Sequence, residues 1–553
     1  MCIRFLYLFL LTVLYSNADA QRAHPERIFA QTDRSIYLSG ESLFFSILVL
    51  EGEFHTEARK SRVVQVELIN DQKKSLLQKL VLLEEGRGAG SFSIPDSITS
   101  GSYELRIYSS WMKNWGEQSF YRQSIWVLNP YDTSYFGQHA GRWTENPSST
   151  PVADIQLDKA RYSKRSLVAG SLPVDEENPF IALTVSVLPL EEVVVPVNPI
   201  SAQQQPIQSE QVVYLPEWEG PLFQASIMDA VTGQPIENQL VTLVQPGTSF
   251  VLNVGKTNRQ GISWFNPGPA LQKGDLIIQQ VDAVNNRRTA TIEMLPVFVP
   301  AEKIQVSPFP ELTKAQQELF RQRFVQLQLQ ELLFPKESDS TLEKDSFQLG
   351  SPDNRYQLDQ YTRFKTMQEI FREYISEVRV RSQDSSFQIR IRNKWIPGFF
   401  ETDPLILIDG IPVWDPAILM EMDPQEVKSI DVYTQRIRIG NLVREGVLVC
   451  RTYAGTGGRS AISKDAIILS FPGIQQEQLF IVPDYSTQQT GMQQLPDRRS
   501  LLYWDPALEK SKTGSYIPFQ FFTSDQAGSY KVLIRGIDKR YRSFERVAVF
   551  EVK

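Results

Sequence analysis

The chain has 553 residues, with 57 Lys and Arg against 64 Asp and Glu, for a formal charge of −7. That length implies roughly three to five domains, and the ordinary apolar content allows each a core. An acidic balance with no basic block excludes nucleic acid as the main ligand.

The opening "MCIRFLYLFLLTVLYSNADA" has an early Arg4, an apolar run from Phe5 to Leu14, and Ala18-Asp19-Ala20 before Gln21. This is the layout of a secretory signal peptide over residues 1–20. The run is too short to span a bilayer. No later stretch is long and apolar enough either, so the expectation is an exported chain with no transmembrane segment after signal removal. The two cysteines are Cys2 and Cys450. Cys2 leaves with the signal, and an exported protein of this size without a disulfide points to a bacterial product. Cys450, in "EGVLVCRTY", has no flanking His or Lys to activate it and reads as a buried structural thiol.

Residues 26–130 alternate in short strands between Gly and Pro turns. Val64, Val66 and Leu68 share one strand face, and Tyr103, Leu105 and Ile107 share another. This predicts a β-sandwich. "QTDRSIY" (Gln31 to Tyr37) recurs as "QLDKARY" (Gln156 to Tyr162), which predicts a second sandwich of the same kind over 150–213. The two are joined by the polar "YDTSYFGQHAGRWTENPSSTP". "NPISAQQQPIQSEQ" reads as a Gln/Pro linker. Residues 214–300 carry three turn signals and predict a further small β unit.

The period changes after Pro300. Leu312, Ala315, Leu319, Phe320, Phe324, Leu327 and Phe334 fall near helical spacing, with Thr313 to cap the start and Pro335 to stop it. Residues 301–365 are therefore expected to be a helical and irregular insert. A capping box, Thr366 with Glu369, starts a second helix. It leads into strands that make 366–458 a compact α+β unit. Residues 462–553 return to pure β and are expected to form a C-terminal sandwich.

Chemistry is sparse. His24, His55 and His139 have no metal-ligand neighbours at the needed spacing. No Gly-x-Ser-x-Gly elbow occurs. "GTGGRS" (Gly455 to Ser460) lacks the Lys-Ser/Thr of a phosphate loop. No catalytic, cofactor or metal residues are assigned, and no enzyme activity is expected. "PLILIDGIPVWDP" (Pro404 to Pro416) is the one stretch where a carboxylate, Asp409, ends a strand as a catalytic one would. Asp409-Gly410 is also a strong two-residue hairpin signal. As a turn residue Asp409 should tolerate Asn. Asp409, Gly410, Pro412 and Trp414 are taken as a structural turn and candidate interaction site.

Resemblance extends this reading. "AQTDRSIYLSGESLFFSILV", through Thr32, Asp33, Arg34, Tyr37, Gly40 and Glu41, resembles the opening of a macroglobulin-like domain of the alpha-2-macroglobulin superfamily. "IPDSITSGSYELRIYSSWMKNWG" is similar to a later strand of that domain. "GPLFQASIMDAVTGQPIENQLVTLV", with its Thr232-Gly233-x-Pro235 and Thr257-x-x-x-Gly261 turns, resembles a carboxypeptidase-regulatory-like sandwich. "PLILIDGIPVWDP", the Ile430-Asp431-Val432 strand and Gly446-Val447-Leu448 resemble the plug domain of TonB-dependent receptors. Too few residues follow for a barrel, and Cys450 has no Gln at the spacing a thioester needs.

The fold class these readings imply is mainly β: tandem macroglobulin- or immunoglobulin-like sandwiches, a small plug-like α+β domain and a C-terminal β domain. The function implied is a non-enzymatic exported scaffold of the Gram-negative envelope, periplasmic or outer-membrane associated. It would be an accessory subunit whose partners are envelope or outer-membrane proteins, with no cofactor. The plug-like hairpin would dock to a barrel or offer an edge for strand addition. The alternative is a carbohydrate- or peptide-binding module at the cell surface, with Trp111, Trp115 and Trp414 as an exposed platform.

Overall fold

The computed structural model describes residues 26–51, 56–57, 59–132, 155–174, 180–194, 213–247, 249–281, 289–333, 349–383, 386–475, 480–486, 496–508 and 516–553. The signal segment, the three histidines, most of both linkers, Phe334 and Pro335 lie outside them. The fold is mainly β. The chain divides into two units. One holds 1–218, 300–336 and 475–553; the other holds 219–299 and 337–474.

The first unit contains two sandwiches of one design. In the first, Glu26–Thr32 pairs with Ser42–Glu51, which pairs with Arg87–Ser93. Five of the six strands of the facing sheet come from the same run of chain, in the order Ile36–Leu38, Tyr121–Leu128, Gly101–Tyr108, Val63–Ile69, Ser75–Leu82, with the first pair parallel; the sixth is the two-residue edge strand Ile474–Gln475. Val64, Val66, Leu68, Leu105 and Ile107 are fully buried between the sheets, as the alternation requires. The outer face of Val63–Ile69 is buried as well, because Glu67 is covered by Arg106 at 2.6 Å and by the Tyr108 hydroxyl at 3.0 Å.

The second sandwich repeats this order. Gln156–Leu157 pairs with Leu167–Pro173, which pairs with Tyr516–Phe522. The facing sheet runs Arg161–Tyr162, Ser543–Val552, Gly528–Asp538, Phe180–Pro189, Tyr503–Asp505, again with its first pair parallel. One apolar core joins Val168, Leu183 and Val185 to Ile517, Phe521, Val532 and Phe550. The segments read separately from sequence as 150–213 and 462–553 are thus two halves of one sandwich. A half of either kind leaves sheet edges unpaired and an apolar face uncovered, and only their union closes it.

The helix Lys314–Leu333 starts on a capping box: Thr313 Oγ1 accepts from Gln316 N at 3.2 Å, and Thr313 N donates to Gln316 Oε1 at 2.9 Å. Phe320 and Phe324 pack with Ile36, Leu38, Trp126 and Val193. Arg323 is buried beneath them. It donates to Glu41 of the first sandwich, to both Glu192 oxygens at 2.9 and 3.0 Å just beyond Phe180–Pro189, and to the Ile36 carbonyl at 3.2 Å.

The second unit stacks a small sandwich against a mixed sheet. The small sandwich has sheets of Ile262–Phe265, Phe223–Asp229, Ala290–Met294 and of Val251–Lys256, Leu240–Gln245, Gly274–Gln280, Ile467–Phe471. Ile467–Phe471 therefore closes this sandwich and not the C-terminal one expected from sequence. The mixed sheet runs Asn354–Gln357, Val427–Ile439, Leu442–Thr452, Leu405–Ile408, Ile411–Val413. Asn354–Gln357 falls in the region expected to be an irregular insert; it is recruited by pairing with Val427–Ile439. One face of the sheet packs on the helices Met367–Tyr374 and Pro416–Glu421, and the other on Phe250, Leu252 and Val254. Burial on both faces accounts for its unbroken apolar runs, "LILI" among them. The capping box at Thr366 and Glu369 forms as read.

Candidate functional site

Asp409 (φ 49°) and Gly410 (φ 85°) are the two central residues of a tight hairpin between Leu405–Ile408 and Ile411–Val413. Positive φ at both is the type I′ geometry. Gly410 is required twice over: a Cβ there would sit 2.3 Å from Phe250 Cβ. Asp409 does more than turn the chain. Its carboxylate is 4% exposed and accepts from Thr452 N at 2.8 Å, Thr452 Oγ1 at 2.6 Å and Gly457 N at 2.7 Å. It clamps the segment after Leu442–Thr452 onto the corner. An Asn here would turn an amide N–H toward one of these donors, so it is not the neutral exchange that the turn alone suggests.

The hairpin edge is closed to an added strand. With Ile408 and Ile411 flanking the two-residue loop, the outward-facing backbone groups belong to Pro412. Pro412 has no N–H, and its carbonyl accepts from Gln279 Nε2 at 3.1 Å. Trp414 is half-buried, packed on the core shared with the small sandwich, with Arg444 over its ring at 5.8 Å. The four residues flagged from sequence therefore lie on one hairpin, but its interior side predominates.

Cys450 pairs with Ile408 and is fully buried. Burial pushes its thiol well above the ordinary value, and Asp409 and Asp431 add to this. That is the opposite of nucleophilic activation. Asp431 is held by Arg355 at 2.7 and 3.0 Å and by Arg451 at 2.5 Å. Among the described residues, no group of three or more His, Cys, Asp or Glu is placed to hold a metal ion. A cavity of about 470 Å³ in the first unit is lined by Arg34, Glu41, Phe44, Phe324 and Arg499 among others. Its cations are already paired: Arg34 with Asp33 at 2.9 Å, Arg499 with Asp497 at 3.0 Å.

Trp111 and Trp115, expected as an exposed platform, are 7% and 4% exposed and pack edge-on against each other. Their short helical turn folds them onto the first sandwich. The most exposed aromatic among the described residues lies elsewhere, in "RNKWIPGFF". Trp395 is 76% and Ile396 66% exposed. Their loop is nevertheless fixed. Asn393 Oδ1 accepts from Trp395 N at 2.9 Å and Ile396 N at 3.2 Å, and Asn393 N donates to Gly398 O at 3.0 Å. Lys394 N donates to Thr434 O at 3.0 Å and its Nζ to Asp353 at 2.6 Å. The signal was available in sequence: an Asn turn followed by Trp-Ile-Pro-Gly places apolar side chains at a loop tip.

Residues 27–125 match the family model of the MG2 domain. Solved structures that resemble the chain include Salmonella alpha-2-macroglobulin reacted with methylamine (8% identity, TM-score 0.24) and the native conformation of E. coli alpha-2-macroglobulin (9%, 0.25). Each alignment covers 96% of this chain and 40% of the other. A tetra-tandem repeat from the extending region of a large adhesion protein aligns at 8% identity and a TM-score of 0.13, over 96% of this chain and 100% of the repeat. Superpositions this loose transfer no residue-level correspondence. The chain spans less than half the length of the two macroglobulins. A search of the curated proteins finds no match.

Proposed function

We propose that the protein is a non-enzymatic, exported scaffold of a Gram-negative envelope. In this reading it is an accessory subunit that holds periplasmic or outer-membrane proteins in place, and the second unit is its plug-like working part. The observation that carries this is the architecture of the first unit. An MG2-type sandwich and a second sandwich of the same strand order form a rigid carrier, and the second unit is spliced into one hairpin connection of the carrier. Rigid sandwiches with exposed loops suit binding more than turnover. The buried Asp409 and Cys450 argue the same way, since neither is free for chemistry. The platform for a carbohydrate ligand loses its support with Trp111 and Trp115 buried.

The test is affinity isolation of the tagged mature chain from native membranes after gentle detergent extraction, with N-terminal mapping of the product. A mature N-terminus near Gln21 and stoichiometric envelope partners are expected. An intact Met1, or recovery of the chain alone after cross-linking, defeats the reading.

A further inference from the structure

The two-stranded sheet Val378–Gln383 and Ser386–Ile391 has two unlike faces. Val378, Val380, Ile389 and Ile391 enter the core of the mixed sheet. The other face carries Arg379, Arg381 and Arg390, and Arg379 stands directly opposite Arg390. Like charges directly opposite one another cost stability. Arg392 continues the row into the Trp395 loop, where Arg379 stacks on Phe399 at 4.1 Å. Among the described residues none of these four arginines has an ion pair. Three described acids of this region are held by other donors: Glu377 accepts from Asn354 at 2.9 Å and Tyr356 at 2.6 Å, Asp353 from Lys394 and Thr434, and Asp403 from Ile389 N at 3.3 Å.

We infer that this loop and its arginine row form an interfacial membrane anchor, with Trp395 and Ile396 entering the headgroup region of an anionic phospholipid leaflet. The chemistry is complementary at both ends. Tryptophan favours the membrane–water boundary, and the exposed Arg379, Arg381 and Arg392 suit phosphate headgroups, while Arg390 is half-buried. A bilayer is a better occupant than a protein groove. The apolar tip is two side chains on a tight turn, with Lys394 over the Trp395 ring at 5.8 Å and Arg379 and Arg392 beside Phe399 at its base, whereas a stable protein interface needs roughly 800 Å² of complementary surface per partner. A lipid surface requires no matching pocket. The loop's internal hydrogen bonds fix the tip beforehand, so little order is lost on insertion. This surface lies apart from the hairpin at Asp409, and it gives the proposed scaffold its hold on the membrane. It rests on the export reading only for access to such a leaflet.

The full mature chain is mixed with vesicles of phosphatidylcholine alone or with one-third phosphatidylglycerol, and sedimented. Binding is expected only with the anionic lipid. It should weaken at least tenfold in the Trp395→Ala, Ile396→Ser double variant, with the melting temperature unchanged. Lipids brominated near the headgroup should quench wild-type fluorescence more than that of Trp395→Phe. Trp395→Lys separates insertion from charge: insertion predicts weaker binding, and charge attraction alone predicts tighter binding. No sedimentation with either vesicle, equal binding of the double variant, or tighter binding of Trp395→Lys overturns the anchor. So does loss of a protein partner by the double variant without any vesicle binding. These outcomes do not depend on where the mature N-terminus falls, so the anchor and the export reading can fail separately.

Discussion

The two sandwiches of the first unit share a strand order and two side-chain devices, yet one is made from a single run of chain but for a two-residue edge strand, and the other from two. In the first, Asp33 Oδ1 accepts from the Tyr37 hydroxyl at 2.7 Å and from Phe44 N at 2.9 Å. In the second, Asp158 Oδ1 accepts from Tyr162 at 2.7 Å and from Ala169 N at 3.0 Å, at the same two sequence separations. Tyr103 reaches back to the Thr99 carbonyl at 2.6 Å, and Tyr530 to Gln526 at 3.1 Å. These are paired tyrosine corners. Where Asn70 to Lys74 turn the first sandwich's hairpin, the second sandwich carries the helix and the whole second unit between Phe180–Pro189 and Tyr503–Asp505. The difference shows that a fold of this kind is specified by its corners and clasps and is indifferent to the length of a surface connection. Loop-closure entropy grows only by about 0.6 kcal/mol per doubling, so such an insertion is thermodynamically mild.

The comparison can be broken most severely at Arg323, which ties the helix to both sandwiches. Arg323→Ala leaves Glu192 without its ion-pair partner and Glu41 with only Arg34 at 3.7 Å, and should cost about 3–5 kcal/mol, read by urea denaturation of the full chain. A loss below about 1 kcal/mol would mean the sandwiches do not depend on this tie. The clasps come next. Asp33 is fully buried, with Arg34 also on its carboxylate, whereas Asp158 is exposed. Asp33→Ala should cost about 3 kcal/mol and Asp158→Ala about 1 kcal/mol. Equal losses would show that burial does not set the value of the clasp.

The corners should behave alike. Tyr103→Phe and Tyr530→Phe each remove the bond to the carbonyl four residues back, Tyr103→Phe along with a longer one to the Thr99 hydroxyl at 3.1 Å, and each should cost about 1 kcal/mol, checked by thermal melting. A wide split would mean that the duplicated geometry hides different energetics.

The smallest effect is on pH dependence, and it has opposite signs in the two sandwiches. Burial raises the Glu26 carboxyl above its ordinary 4.5, against the hydrogen bonds from Ser109 and Ser61. The native state then keeps a proton that the unfolded chain has lost, so stability falls as pH rises from 4.5 through the folded value. Asp158 is held below its ordinary 3.8. Its slight burial opposes this, but the bonds from Tyr162 and Ala169 N outweigh it. Its contribution is full above 3.8 and is lost as pH falls through the folded value. Glu26→Gln should flatten the first slope and Asp158→Asn the second, in melting profiles from pH 3 to about 7.

Local chemistry was legible in the sequence, and long-range pairing was not. Gln-x-Asp-basic-x-x-Tyr announced a duplicated start because Asp and Tyr bond to each other across one tight turn. Asp409-Gly410 announced a type I′ corner for the same local reason. The partner of Asp409, the Thr452–Gly457 segment, is far along the chain, and no spacing rule points to it. The second sandwich was cut in two because a strand's periodicity says which face is apolar but not which distant strand covers it. A clue was present: "GSYELRIY" and "GSYKVLIRG" open matching strands, Gly101–Tyr108 and Gly528–Asp538. The tryptophans misled because composition does not separate a Trp folded onto its own sandwich from one lifted on an Asn turn.

The parallel pairing of Arg161–Tyr162 with Ser543–Val552 sets an order of events during synthesis. The first sandwich has all but a two-residue edge strand once residue 128 is available. The second must wait, half-built, while the helix and the entire second unit are made, and its closing strand Ser543–Val552 follows that whole insertion. Its unfinished sheets are the stretch most in need of a holding chaperone. A product that stops within the second unit keeps those edges bare and offers them to proteases, so the closing strand certifies that the second unit has been made.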